Sequence, residues 1–111
     1  MQLITEEIKR QLIANWHEVK LVDKTKPPLK LFAPWGSATW LISELDPEGD
    51  NMFGLCDLGF GTPELGYVSL NELTNIVGPM GLTIERDINF EPEKSLMDYA
   101  QDAKEQGAIT A

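Results

Sequence analysis

Cysteine and histidine are nearly missing from this chain: Cys56 and His17 stand alone among 111 residues. One cysteine cannot close an internal disulfide. One cysteine and one histidine cannot supply the four nitrogen and sulfur ligands that a structural zinc site requires. The expected setting is therefore a reducing one, the cytoplasm. Basic residues are also scarce, nine Lys and Arg against eighteen Asp and Glu, which leaves a formal charge of −9. Proteins that grip nucleic acid displace counterions with Lys and Arg, so direct nucleic-acid binding is not expected. An anionic membrane surface is disfavoured on the same ground. No apolar run approaches the roughly 20 residues that cross a bilayer. The opening Met1-Gln2-Leu3-Ile4-Thr5-Glu6-Glu7 turns acidic too early for a secretory leader.

What the chain does contain is core material. Hydrophobic residues make up 42%, with three Trp, four Phe and two Tyr, and each ring buries about 150–250 Å². The length suits one domain, 1–111. It divides into an N-terminal helix within 1–16, a sheet-plus-helix core over 29–90 and a C-terminal helix within 95–106. In the first, Leu3–Asn15 carries Thr5 as a cap, Glu6 and Glu7 in the first turn, and an inward stripe of Leu3 or Ile4, Ile8 and Leu12. A polar connector of His17, Glu18, Lys20, Asp23, Lys24 and Lys26 follows, closed by Pro27-Pro28.

The middle reads as strands. Leu29–Trp35 alternates, and Ser37–Phe60 has the form of a hairpin around the turn residues Asp46-Pro47-Glu48-Gly49-Asp50-Asn51. Gly59, Gly61 and Pro63 break the pattern before a short extended piece at Leu65–Val68. Ser69-Leu70-Asn71-Glu72 has the spacing of a capping box and predicts a helix over Leu70–Val77, stopped by Gly78-Pro79. Leu82–Phe90 predicts a further strand, and Ser95 with Asp98 predicts the capped start of the last helix, ended by Gly107. The expected fold is α+β: a small antiparallel sheet of about four strands, with the N-terminal, middle and C-terminal helices packed mainly on one face.

Several segments in order carry a resemblance: Phe32-Ala33-Pro34-Trp35, Thr39-Trp40, Glu44-Leu45-Asp46-Pro47-Glu48-Gly49-Asp50, Glu64 to Leu73 and Gly81 to Phe90. Together they resemble the bacterial domain-of-unknown-function family 2958, common on plasmids, prophages and other mobile elements. The resemblance spans about Leu29 to Leu96. It implies no chemistry, but it implies a context of conflict between mobile DNA and its host.

Catalytic groupings are hard to assemble. A Cys or Ser nucleophile needs a base nearby, and His17 lies far in sequence from Cys56, whose neighbours suggest a small buried hydrophobe. Gly59-Phe60-Gly61 lacks the rest of a dinucleotide or phosphate loop. Asp46, Glu48, Asp50 and Asn51 offer oxygens, but the run is too short for a calcium loop and is explained by turn geometry, so no metal or cofactor is expected. Arg86 is the anomaly. Alternation sets it on an apolar row with Leu82, Ile84, Ile88 and Phe90, where a charge needs a partner. The expected partner is Asp57, then Glu44 or Glu64, either as a structural bridge or as the lining of a pocket for an anion.

The leading expectation is a non-enzymatic acidic protein that binds and modulates or inhibits a larger host protein, such as a defence or nucleic-acid-handling complex with a basic channel. This would be action of the anti-CRISPR or anti-restriction type. The protein itself would be a monomer or small homo-oligomer, with Glu44, Asp46, Glu48, Asp50, Asp57, Glu64 and Arg86 as candidate binding residues. The alternative is a small ligand-binding or catalytic domain built on Arg86 with Asp57, Glu44 or Glu64. Trp35, Trp40 and Tyr67 are expected to be largely buried or to share one cluster.

Overall fold

A computed structural model describes residues 3–18 and 24–111. Lys20 and Asp23 of the expected connector lie outside the described residues. The elements run α1 (Glu6–His17), β1 (Leu29–Phe32), β2 (Thr39–Leu45), β3 (Asn51–Asp57), β4 (Glu64–Ser69), α2 (Leu70–Thr74), a 3₁₀ turn at Pro79–Gly81, β5 (Glu85–Arg86) and α3 (Leu96–Gln106). The five strands form one open antiparallel sheet in the order β4-β3-β2-β1-β5. The α+β class holds, with a two-residue fifth strand added.

The helix ends follow their caps. The Thr5 hydroxyl accepts from the Ile8 amide at 3.1 Å, that of Ser69 from Glu72 at 3.1 Å, and that of Ser95 from Asp98 at 3.2 Å. Each takes up an amide that the first helical turn leaves without a partner. Gly107 closes α3 in the left-handed region at φ 76, as a C-terminal glycine does without steric cost.

The register separates two cores. On the first face Leu29, Leu31, Trp40, Ile42 and Met52 pack with Leu12 of α1, Leu73 of α2 and Ile84. On the second face Leu41 and Leu55 pack with Leu96, Tyr99 and Ala103 of α3. Two of the three helices thus share a face, and α3 departs from the expected arrangement by covering the other. The cause lies in β2, where Trp40-Leu41-Ile42 is apolar on consecutive residues and buried throughout. A strand of that kind needs cover on both sides. A bulge between Ile42 and Glu44 lets β2 carry one extra residue against β3, which increases the local twist.

The expected strand Leu82–Phe90 shrinks to Glu85–Arg86. After it the Asp87 carboxylate accepts from the Asn89 amide at 2.9 Å and the Phe90 amide reaches the Asp87 carbonyl at 3.3 Å. This local turn ends the alternation and leaves Ile88 71% exposed. Helix α2 likewise stops at Thr74, short of Val77, which is exposed.

Candidate functional site

The register scatters the charged residues singled out above. Arg86 pairs with Leu31, which faces the first core, so its side chain does start toward an apolar face as alternation requires. It is half-buried, and its guanidinium donates to the Leu3 carbonyl at 3.0 Å. Asp57 is not its partner. Asp57 shares a face with Leu55, on the second side of the sheet, and sits three strands from β5. Only 2% exposed, it accepts from the Gly59 amide at 2.8 Å and the Ile109 amide at 3.0 Å. This carboxylate pins the end of β3 to the chain beyond α3. Glu64 lies on β4, the opposite edge strand from β5. Glu44 is buried and pairs with Phe53 on the second face. Arg86 thus starts on the first face, Asp57 and Glu44 start on the second, and Glu64 lies on the far edge strand. Alternation gave the right face for each strand separately but could not say how the strands were ordered.

The hairpin tip is braced. Asp46 Oδ1 accepts from the amides of Asp50 and Asn51 at 2.9 and 3.0 Å. The Asp50 carboxylate accepts from the Ser69 hydroxyl at 2.9 Å and the Asn71 amide at 2.8 Å. Asp50 thereby joins the tip to the start of α2. Glu48 stays exposed. Among the described residues, no group of three His, Cys, Asp or Glu is placed to hold a metal ion, and no helix is long and apolar enough to cross a membrane.

Cys56 is half-buried against the first core, and burial pushes its thiol from the usual 9.0 up to about 11. A thiol held protonated is a poor nucleophile. A cavity of about 550 Å³ opens between α1, the hairpin tip and α2. Its walls mix Leu3, Ile4, Leu70 and Ile84 with Glu6 and Lys9.

Two further features escaped residue-by-residue reading. Residues 31–85 contain no Lys, Arg or His, yet hold eight carboxylates: Glu44, Asp46, Glu48, Asp50, Asp57, Glu64, Glu72 and Glu85. The run folds into β2, β3, β4 and α2, with Glu44 and Asp57 buried and the other six carboxylates at least partly exposed. A count along the chain would have found it. The second feature is the β4 edge. Tyr67, expected in the core with Trp40, is 59% exposed, whereas Trp40 is 4% exposed and Trp35 is partly buried beside it. Tyr67 lies on the second face against Phe53, ring centroids 5.0 Å apart. No helix covers it there because α3 lies over β2 and the inner residues of β3. Leu58 and Phe60 of the adjoining loop are exposed as well.

These observations define a class: an α+β scaffold whose sheet is covered on both faces and whose β4 edge carries an exposed aromatic. The chain belongs to the family described as protein of unknown function (DUF2958), whose model matches residues 3–110. The match extends beyond the Leu29–Leu96 span and takes in both terminal helices. No curated protein matches the chain, and no solved structure does.

Proposed function

We propose that the protein acts by binding a larger protein, in the cytosol, through an acidic surface that competes for a site normally used by nucleic acid. The observation that carries this reading is the cation-free run of residues 31–85, with six carboxylates at least partly exposed. A surface of one charge sign steers encounter with a surface of the other sign and repels like-charged ones. The separation of Asp57 from Arg86, on opposite faces of the sheet and three strands apart, favours binding over catalysis by that pair. A mobile-element protein directed at a host defence or nucleic-acid-handling complex would use these properties, its negative charge standing in for a phosphate backbone.

The test is affinity capture from a bacterial lysate on the immobilised protein. A nucleic-acid-handling or defence protein should be retained. It should be released by competing double-stranded DNA and by salt of about 0.5 M, where the Debye length is only a few ångströms. Failure to enrich any such partner, or retention indifferent to DNA, would refute the reading.

A further inference from the structure

The sheet ends on two very different edges. Strand β5 is two residues long and carries a charge at each position, Glu85 and Arg86. Strand β4 is six residues long, from Glu64 to Ser69, and among the described residues only β3 pairs with it. The Leu70 amide donates to the Asp50 carbonyl at 2.8 Å, which fixes the phase of the β3–β4 ladder. Antiparallel hydrogen bonds alternate along a strand. Leu65 and Tyr67 therefore turn their amides and carbonyls away from β3, toward the open side. Gly66 between them has nothing within 4 Å of where a side chain would begin, so the strand is not crowded on that face. An unpaired strand edge is a template for another strand.

The side chains around this edge limit what can pair with it. Tyr67, Leu58 and Phe60 present exposed apolar surface, and aromatic residues are enriched where proteins meet. Glu64 is exposed at one end of the strand, and the whole run from residue 31 to 85 offers no cation. A second copy fits poorly. A two-fold antiparallel pairing of β4 with itself that sets Leu65 opposite Tyr67 would put each Glu64 opposite Val68 of the other copy, without a cation, and would join two molecules of charge −9.

We propose that the free edge of β4 receives an extended basic peptide segment of the partner protein as a sixth strand. Main-chain bonds run to Leu65 and Tyr67, and a Lys or Arg lies over the Tyr67 ring or beside Glu64. Strand addition supplies affinity from the backbone and selectivity from alternate side chains, and a cation over an exposed tyrosine adds to it. The proposal rests on the interaction reading above and names the surface and the peptide chemistry that would carry it.

The probe is a decapeptide of alternating Arg and Thr, titrated into the full chain at about 0.1 M salt and followed through backbone amide resonances. Two analogues are N-methylated at one or the other set of alternate positions. Pairing at the edge should shift and protect the amides of Leu65 and Tyr67. Methylation of one set should weaken binding by about tenfold or more while the other set stays within about twofold. Equal loss with both analogues, shifts centred on the hairpin tip, absence of binding, or a β4-paired dimer that excludes the peptide would each overturn the proposal. The lysate partner separates this from the broader reading. Capture by the native protein but not by a Glu64→Lys, Tyr67→Ser variant supports the edge site. Equal capture by both removes the edge site and leaves the interaction function standing, and capture by neither removes both.

Discussion

Gly54 and Gly66 face each other across β3 and β4, yet alanine should act on them in opposite directions. A Cβ on Gly54 would stand 2.1 Å from the Leu41 carbonyl oxygen and 2.8 Å from Ile42 Cα. Both are backbone atoms of a central strand, so no side chain can swing aside. The sheet must instead widen beside the β2 bulge. Overpacking of this kind costs about 1–3 kcal/mol, and the immobile neighbours put Gly54→Ala at the upper end. The reduced freedom of the unfolded chain returns only about 0.4–1 kcal/mol, leaving a net loss of roughly 2–3 kcal/mol. At Gly66 the Cβ meets nothing within 4 Å, so the entropic gain stands alone and Gly66→Ala should stabilise by about 0.4–1 kcal/mol. For a chain of this size 1 kcal/mol moves Tm by roughly 4 °C. Urea titration followed by tryptophan fluorescence, with calorimetry for Tm, should give a fall of about 8–12 °C for the first variant and a rise of about 2–4 °C for the second. A Gly54→Ala protein within 0.5 kcal/mol of native would refute the close approach of the two strands. A Gly66→Ala protein as unstable as Gly54→Ala would show that the face of β4 at Gly66 is covered.

Other substitutions probe the two faces separately. Trp40→Ala should cost about 3–5 kcal/mol in chemical denaturation, while Tyr67→Ala should cost under about 1 kcal/mol because the ring is largely in solvent. Asp57→Asn exchanges one buried acceptor oxygen for an NH₂ group, which sets a donor against the amide of Gly59 or Ile109. A loss of about 1–3 kcal/mol is expected, with faster hydrogen exchange at the affected amide. The Cys56 thiol is raised to about 11 in the folded protein against 9.0 ordinarily. Its contribution to stability is therefore complete below about pH 9 and falls as pH rises toward 11. Melting curves across that window should decline more steeply for the native protein than for Cys56→Ala.

Local chemistry was the legible part of the sequence. Thr5, Ser69, Ser95 and Gly107 act through groups within a few residues of themselves, and the helices begin or end at them. The Asp46–Asn51 turn is local in the same sense. Strand order is not, because it depends on which apolar faces meet across the whole chain. Arg86 was set on a row with Ile84, and Asp57 shares the face of Leu55. Those companions proved to belong to two different cores. The clue lay in Trp40-Leu41-Ile42, whose unbroken apolarity marks a strand buried on both sides and so requires a helix on each. The misread strand at Leu82–Phe90 had its own warning in Asp87 and Asn89, since short polar side chains that bond the backbone compete with a ladder. Tyr67 was judged by residue type alone, and only the position of β4 at the edge decides its exposure.

The contrast between the two sheet edges gives the negative charge a second task. Short strands and charged side chains are usual protections against edge-to-edge pairing, and β5 has both. The six residues of β4 carry one charge, Glu64, with a glycine and an exposed aromatic in the middle. Left neutral, such an edge would pair with its own copy. The −9 charge of each molecule opposes that encounter, and in the proposed pairing the same charge favours a basic strand. Screening should uncover the first effect. At about 1 M salt the Debye length falls to about 3 Å, and sedimentation velocity at high protein concentration should show self-association that is absent at about 0.1 M. Glu64→Lys, Tyr67→Ser should suppress it by replacing the aromatic surface and adding the edge lysine that natural sheets use for protection. Self-association that survives this double change, or that is equally strong at low salt, would mean that charge is not what holds the β4 edges apart.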